Sequence, residues 1–104
     1  MDDRKEVARR VAIICESEKV DEHLSSQLQL YITDGHVPIN TFLKLMLQHK
    51  VYEALLICTK DEAAVAHRLA LIMYWELPPV AHGDRERVIQ WCNSVLDSGI
   101  ANCL

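Results

Sequence analysis

Glycine and proline are scarce in this sequence, which contains three of each among 104 residues. Three isolated glycines cannot build the glycine-rich loop with which many proteins cradle phosphate. Half of the residues are hydrophobic, so a disordered or low-complexity chain is also excluded. The longest apolar segments are interrupted by Lys44, Glu53 and Arg68, and none reaches the roughly 18 residues that a membrane span needs.

Basic clusters are absent as well. The net charge of −4 arises from 15 acidic and 11 basic residues that are mixed along the chain, which disfavours a nucleic-acid partner. Residues 1–6 are charged rather than apolar, so we do not expect a secretory signal. These features predict a single helical domain over residues 1–104, located in the cytoplasm.

The cysteines and histidines lack the local spacing of a metal site. The four cysteines are Cys15, Cys58, Cys92 and Cys103, and no histidine lies three or four residues from another histidine or from a cysteine. We expect reduced thiols, three of them packed on apolar faces and Cys103 exposed. No metal and no cofactor are predicted.

A thiol nucleophile is the clearest catalytic candidate, with Cys58 beside His49 or His67. Cys58 directly follows three large apolar residues, 55–57, and burial among them would leave the thiol protonated and inert. We therefore do not expect an enzyme.

Apolar residues recur at i, i+3 and i+4 and never alternate for long, which predicts an all-α protein. Helices are expected over about 3–18, 21–33, 40–49, 51–58, from 59 to the Pro78-Pro79 pair, and from Gly83-Asp84 to Ser98-Gly99. The residues predicted to begin and end the helices are a left-handed Gly35, a cap at Asn40 or Thr41, and a capping box formed by Thr59 with Glu62. The third helix is apolar on most sides and is expected to be the central element.

A degenerate repeat is suggested by two segments, residues 49–58 and 83–92, which align without a gap at an offset of 34 residues. Helix pairs at this period are typical of tetratricopeptide-like stacking, here as three antiparallel pairs. A globular six-helix bundle is the alternative.

The apolar content is high for so short a chain, which predicts a binding surface for a partner helix or self-association of the isolated protein. The third and fifth helices supply the candidate contact residues, because methionines adapt to a partner and aromatic side chains carry much of the energy at interfaces. The predicted partner-binding residues are Phe42, Leu43, Met46, Leu47, Met73 and Tyr74.

The stretch 39–77 contains the series Phe42-Leu43, Leu45-Met46-Leu47, Ala54-Leu55, Ala63-Ala64 and Arg68-Leu69. In this series, and in its length and acidity, the chain resembles the small tetratricopeptide-like chaperones of bacterial type III secretion that hold the needle subunit. The resemblance implies a cytoplasmic chaperone that covers the apolar helix of a polymerising subunit, with a second small helical protein as co-chaperone. The alternative is a helical adaptor or a segment of an α-solenoid scaffold.

Overall fold

Six α-helices and one short 3₁₀ helix make up the fold. The computed structural model describes the backbone of residues 4–103 and the side chains of residues 4–94. Its elements, in chain order, are α1 (Arg4–Ser17), α2 (Glu22–Asp34), α3 (Thr41–Leu47), α4 (Val51–Ile57), α5 (Lys60–Glu76), the 3₁₀ helix η1 (Pro79–Ala81) and α6 (Arg85–Cys103). No β-strand occurs in this range, and the predicted all-α class is confirmed.

Helix-ending and helix-capping residues act where the sequence predicted. Gly35 follows α2 with a φ of 70°, a left-handed conformation that glycine adopts without steric cost, and its N–H donates to Tyr31 O (3.2 Å). Of the two residues predicted to cap α3, Asn40 takes this role, since its side chain accepts a hydrogen bond from the N–H of Leu43 (2.8 Å).

A network of polar side chains joins the starts of α3 and α5 to α2. Thr59 and Glu62 form the predicted capping box of α5. The other carboxylate oxygen of Glu62 accepts a hydrogen bond from Asn40 Nδ2 (2.7 Å). The backbone N–H of Asn40 donates to Gln27 Oε1 on α2 (2.8 Å), and Gln27 Nε2 lies 2.7 Å from His23 Nε2. The N-terminal ends of α3 and α5 are thereby held to the middle of α2.

Two corners of the chain have the same backbone geometry. Lys19, between α1 and α2, and His49, between α3 and α4, adopt left-handed φ values of 58° and 61°. In each corner the following N–H reaches the carbonyl five residues back, from Val20 to Cys15 (2.8 Å) and from Lys50 to Leu45 (2.9 Å). This is the hydrogen bond of a Schellman motif, and it folds each helix pair into a hairpin.

The tetratricopeptide-like arrangement is not confirmed. The matching corners, Lys19 and His49, lie 30 residues apart, whereas Gly83, predicted as the counterpart of His49, has a φ of 138° and links η1 to α6. Helices α1 and α2 pack together, as do α3 and α4, but α5 packs on α1 and α3 while α6 packs on α2 and η1. Within the described range, α5 and α6 therefore do not form a third hairpin of that kind.

Two predicted helix ends are wrong. The third helix ends at Leu47 rather than at His49, because the left-handed His49 cannot continue it. The last helix continues through Ser98-Gly99 to Cys103. A glycine inside a helix costs only about 1 kcal/mol relative to alanine, and no proline follows it to stop the helix.

One apolar cluster joins all the helices. The predicted central position of α3 is not confirmed, because α3 packs mainly on α4 and α5. Four of the seven α3 residues are buried. The largest fully buried side chains are Tyr31, Phe42, Leu28, Ile32, Leu43, Leu47, Leu69, Val11 and Cys15. The Tyr31 hydroxyl donates to Ala81 O, and Trp91 Nε1 donates to Tyr31 O (2.9 Å), so the cluster also ties α2 to η1 and α6.

Candidate functional site

A groove of about 490 Å³ lies between the α3–α4 corner, α5 and the loop before α6. Its lining consists of Met46, His49, Val51, Ala70, Leu71, Met73, Tyr74 and His82. Met46 and Met73 are buried and form its floor, whereas Val51, Leu71 and Tyr74 are exposed and form its walls. The two histidines are the main polar groups of an otherwise apolar surface.

The structure divides the six predicted partner-binding residues into two groups. Phe42, Leu43 and Leu47 are at most 1% exposed, because they turn towards the other helices rather than outwards. They belong to the core and are not available to a partner in this structure. Met46, Met73 and Tyr74 line the groove, and Tyr74 is 71% exposed.

Five residues that line the groove are absent from the six predicted contact residues: His49, Val51, Ala70, Leu71 and His82. Val51 and Leu71 look like ordinary core positions in the sequence, and only the packing leaves them open. His49 and His82 are 33 residues apart, so no local spacing pointed to them. The only available signal for His49 was its place at a predicted corner.

Exposed apolar side chains continue beyond the groove on both neighbouring helices. On α4 they are Tyr52, Leu55, Leu56 and Ile57, and on α5 they include Trp75, whose ring meets the Tyr74 ring edge-on at 5.0 Å. Such an amount of exposed apolar surface is characteristic of an interaction site.

A second, smaller hollow of about 220 Å³ lies on the other side of Leu71, between α1 and α5. Its apolar walls include Ile14, Leu71, Ile72 and Trp75. Two ion pairs border it, Arg68 with Glu18 (3.7 Å) and Arg10 with Glu76 (3.3 Å). Leu71 is therefore a ridge between two apolar hollows, and of these two only the smaller has Glu or Arg side chains among its lining residues.

The two groove histidines are joined by a direct hydrogen bond. His49 Nε2 lies 2.8 Å from His82 Nδ1, with the ring centres 5.0 Å apart. The neighbouring Gly83 N–H donates to Leu47 O (2.9 Å), which fastens the loop before α6 to the end of α3. Burial lowers the pKa of His82, and the charges of His49 and Arg87 lower it further.

The cysteines are only partly where the sequence placed them. Cys15 and Cys92 are buried on apolar faces as predicted, and burial raises the pKa of both thiols. Cys58 is half-buried, and its thiol donates to Leu55 O (3.3 Å). The expected burial of Cys58 among residues 55–57 is wrong, because these three side chains point outwards. The side chain of Cys103 lies outside the described residues.

Metal-binding clusters and membrane-spanning helices are absent from the described part of the chain. Across the side chains that the structure describes, no group of three His, Cys, Asp or Glu residues is arranged to hold a metal ion. Within residues 4–103, no helix combines the length and the apolar character needed to cross a membrane.

No family model, curated protein or solved structure matches this chain. The proposed function therefore rests on the groove and its surroundings.

Proposed function

We propose that this protein is a non-catalytic binding module that holds an apolar helix of a partner protein in the groove between the α3–α4 corner and α5. The observation that carries this proposal is the set of exposed apolar walls, Val51, Leu71 and Tyr74, above a methionine floor. Docking a helix would remove these walls from water, which favours binding by about 25 cal/mol of free energy for each Å² of apolar surface buried.

A helix suits this surface better than an extended peptide does. Peptides that bind as an added strand need an open sheet edge, and residues 4–103 contain no strand. Proline-rich peptides bind in grooves lined by several aromatic rings, whereas Tyr74 is the only aromatic ring among the groove residues besides the histidines. Methionines at the floor adapt to the side chains of an amphipathic helix.

A narrower version makes this protein a cytoplasmic chaperone of a secreted, polymerising subunit. In this version the guest helix is the one through which the subunit self-assembles, and covering it keeps the subunit monomeric. The resemblance to needle-subunit chaperones supports this version, together with a groove that includes Met46, Met73 and Tyr74. A second small helical protein would then complete the complex.

The outer face of α4 favours a second candidate, a segment of a helical scaffold. Tyr52, Leu56 and Ile57 are exposed on this short helix and lie outside the groove lining. A scaffold would bury this face against a folded neighbour, whereas a chaperone needs only the groove. Charged substitutions at Leu56 and at Leu71 therefore distinguish the two candidates.

The proposal is tested by selecting binders from a displayed library of helical peptides with wild-type protein as bait. We expect enrichment of peptides with apolar residues at i, i+3 or i+4 and i+7. Leu71→Asp is expected to weaken their binding at least tenfold, because it places a carboxylate in an apolar contact.

Leu30→Asp is the matched control, since Leu30 on α2 is 46% exposed and Leu71 is 44% exposed. Both variants are checked for an unchanged helical circular dichroism spectrum. The proposal fails if no helix is enriched, or if the enriched helices bind the Leu71→Asp protein as tightly as the wild type. Loss of binding in a Leu56→Asp protein, with Leu71→Asp silent, would support the scaffold candidate instead.

A further inference from the structure

The His49–His82 pair is the polar part of the groove, and it carries an inference about the partner that rests on the proposed function. Both rings line the groove, and each contributes one nitrogen to the bond between them. The outer nitrogens, His49 Nδ1 and His82 Nε2, have no hydrogen-bond partner among the described residues. His49 is an exposed residue and His82 is 9% exposed, so the His49 ring is the more accessible half of the pair.

The protons of such a pair can be counted. A neutral pair carries two ring protons, one of which lies between Nε2 and Nδ1 in the 2.8 Å bond. The other resides on one outer nitrogen, so a neutral pair offers a single outward N–H. Adding one proton places an N–H on both outer nitrogens and a charge of +1 on the pair. A fourth ring proton is present only if the hydrogen bond between the rings breaks, because both inner nitrogens would then carry a proton.

We propose that the singly protonated His49–His82 pair binds a carboxylate side chain of the docked helix, so that partner binding takes up one proton. The carboxylate would accept a hydrogen bond from one outward N–H of the pair, and the positive charge makes this bond one of the strong, charge-assisted kind. The groove is suited to this occupant because no acidic side chain is among its lining residues.

The charged surroundings of the pair agree with this occupant. Lys50 follows His49 in the chain, Tyr74 faces the groove from α5, and Arg87 of α6 donates to His82 O (3.5 Å). The carboxylate at the start of α6, Asp84, already accepts the N–H of Arg87 (2.8 Å). Without a guest, burial and the charges of His49 and Arg87 lower the pKa of His82 and so favour its neutral form. A carboxylate of the guest helix beside the pair favours the protonated form instead.

The test uses synthetic helices that share one leucine stripe and carry a single glutamate at each flanking position in turn, each with a glutamine counterpart. Binding is measured at pH 6 and pH 8 by calorimetry in two buffers of different ionisation enthalpy, which reports proton uptake. We expect at least one glutamate helix to bind about tenfold more tightly at pH 6 than at pH 8, with uptake of about one proton. Its glutamine counterpart should show neither effect.

His49→Asn is the decisive variant, because asparagine tolerates the left-handed corner but lacks the titrating ring. In this variant the glutamate helix should lose its pH dependence and its proton uptake. If glutamate and glutamine helices bind equally at both pH values, the inference is overturned and the proposed function stands. If the glutamate preference persists in His49→Asn, the carboxylate is held by another group and the inference is again overturned. If none of the helices binds, the proposed function fails as well.

Discussion

The two hairpins, α1–α2 and α3–α4, have corners of the same backbone geometry, but the residues after these corners differ in burial. Five residues beyond the left-handed corner, Leu24 in α2 and Ala54 in α4 are both buried. One residue further, the polar Ser25 is buried in α2, whereas the apolar Leu55 is exposed in α4. Gln27 and Ile57, two positions later, repeat this reversal.

The difference arises from what covers each hairpin. Helix α2 packs on both α1 and α6, and its two buried polar residues are satisfied: Ser25 accepts a hydrogen bond from Gln29 (2.9 Å), and Gln27 accepts one from the backbone N–H of Asn40. In the described part of the chain, α4 packs mainly on α3, and its outer face is left open. The identity of a side chain thus does not decide its burial here; the presence of a covering helix does.

The largest difference between the two hairpins is expected when one leucine in each is replaced by alanine. Leu28→Ala in α2 should lower the free energy of unfolding by about 3 kcal/mol, because Leu28 is fully buried and its loss leaves a cavity. Leu56→Ala in α4 should change it by less than about 0.5 kcal/mol, since Leu56 is 67% exposed. Urea denaturation of both variants measures the difference. Equal losses would mean that α4 is covered in the isolated protein, for example by a second copy.

A smaller effect is expected where the second hairpin is fastened to the first. Asn40→Ala removes the cap of α3 and the hydrogen bond to Glu62, which should cost about 1–2 kcal/mol. Thr41→Ala is the control, because Thr41 is exposed and is the next residue in the chain. The same urea experiment applies, and a loss in Thr41→Ala as large as that in Asn40→Ala would contradict the bridging role.

The smallest effect concerns pH and separates the two corners. The pKa of His82 in the folded protein is lowered from its ordinary value near 6.5, so between these two values the unfolded chain binds more protons. The free energy of unfolding should therefore be at its full value above pH 6.5, as far as His82 is concerned, and should decline as the pH falls below 6.5. His82→Asn should flatten this part of the profile, whereas Lys19→Asn at the other corner should not. A wild-type profile without a decline below pH 6.5 would argue against this burial of His82.

Much of the fold was predictable because its signals are local. Gly35 ends α2, Asn40 caps α3 and Thr59 with Glu62 begins α5, since each residue acts on backbone within four positions of itself. The left-handed conformation of Lys19 and His49 was not predictable in this way, because a positive φ is uncommon in any residue other than glycine and lysine has no preference for it. The 34-residue repeat failed for this reason: the true counterpart of His49 is a lysine.

The groove was only partly predictable. Met46, Met73 and Tyr74 were identified as contact residues, but Phe42, Leu43 and Leu47 were grouped with them although they are buried. Apolar periodicity shows that a helix has an apolar face and does not show whether a neighbour covers it. For α3, which is apolar on most sides, the sequence offered no way to separate inner from outer residues.

By itself, the sequence determined the helical class and most helix boundaries, because hydrogen bonding at helix ends and apolar spacing depend on near neighbours in the chain. Only the tertiary structure decided which apolar residues stay open to solvent and which two histidines meet. His49 and His82 are 33 residues apart and come together because the loop before α6 is fastened to the end of α3 by the Gly83–Leu47 hydrogen bond. Burial and such distant contacts depend on how whole helices pack, which no short segment of this sequence specifies.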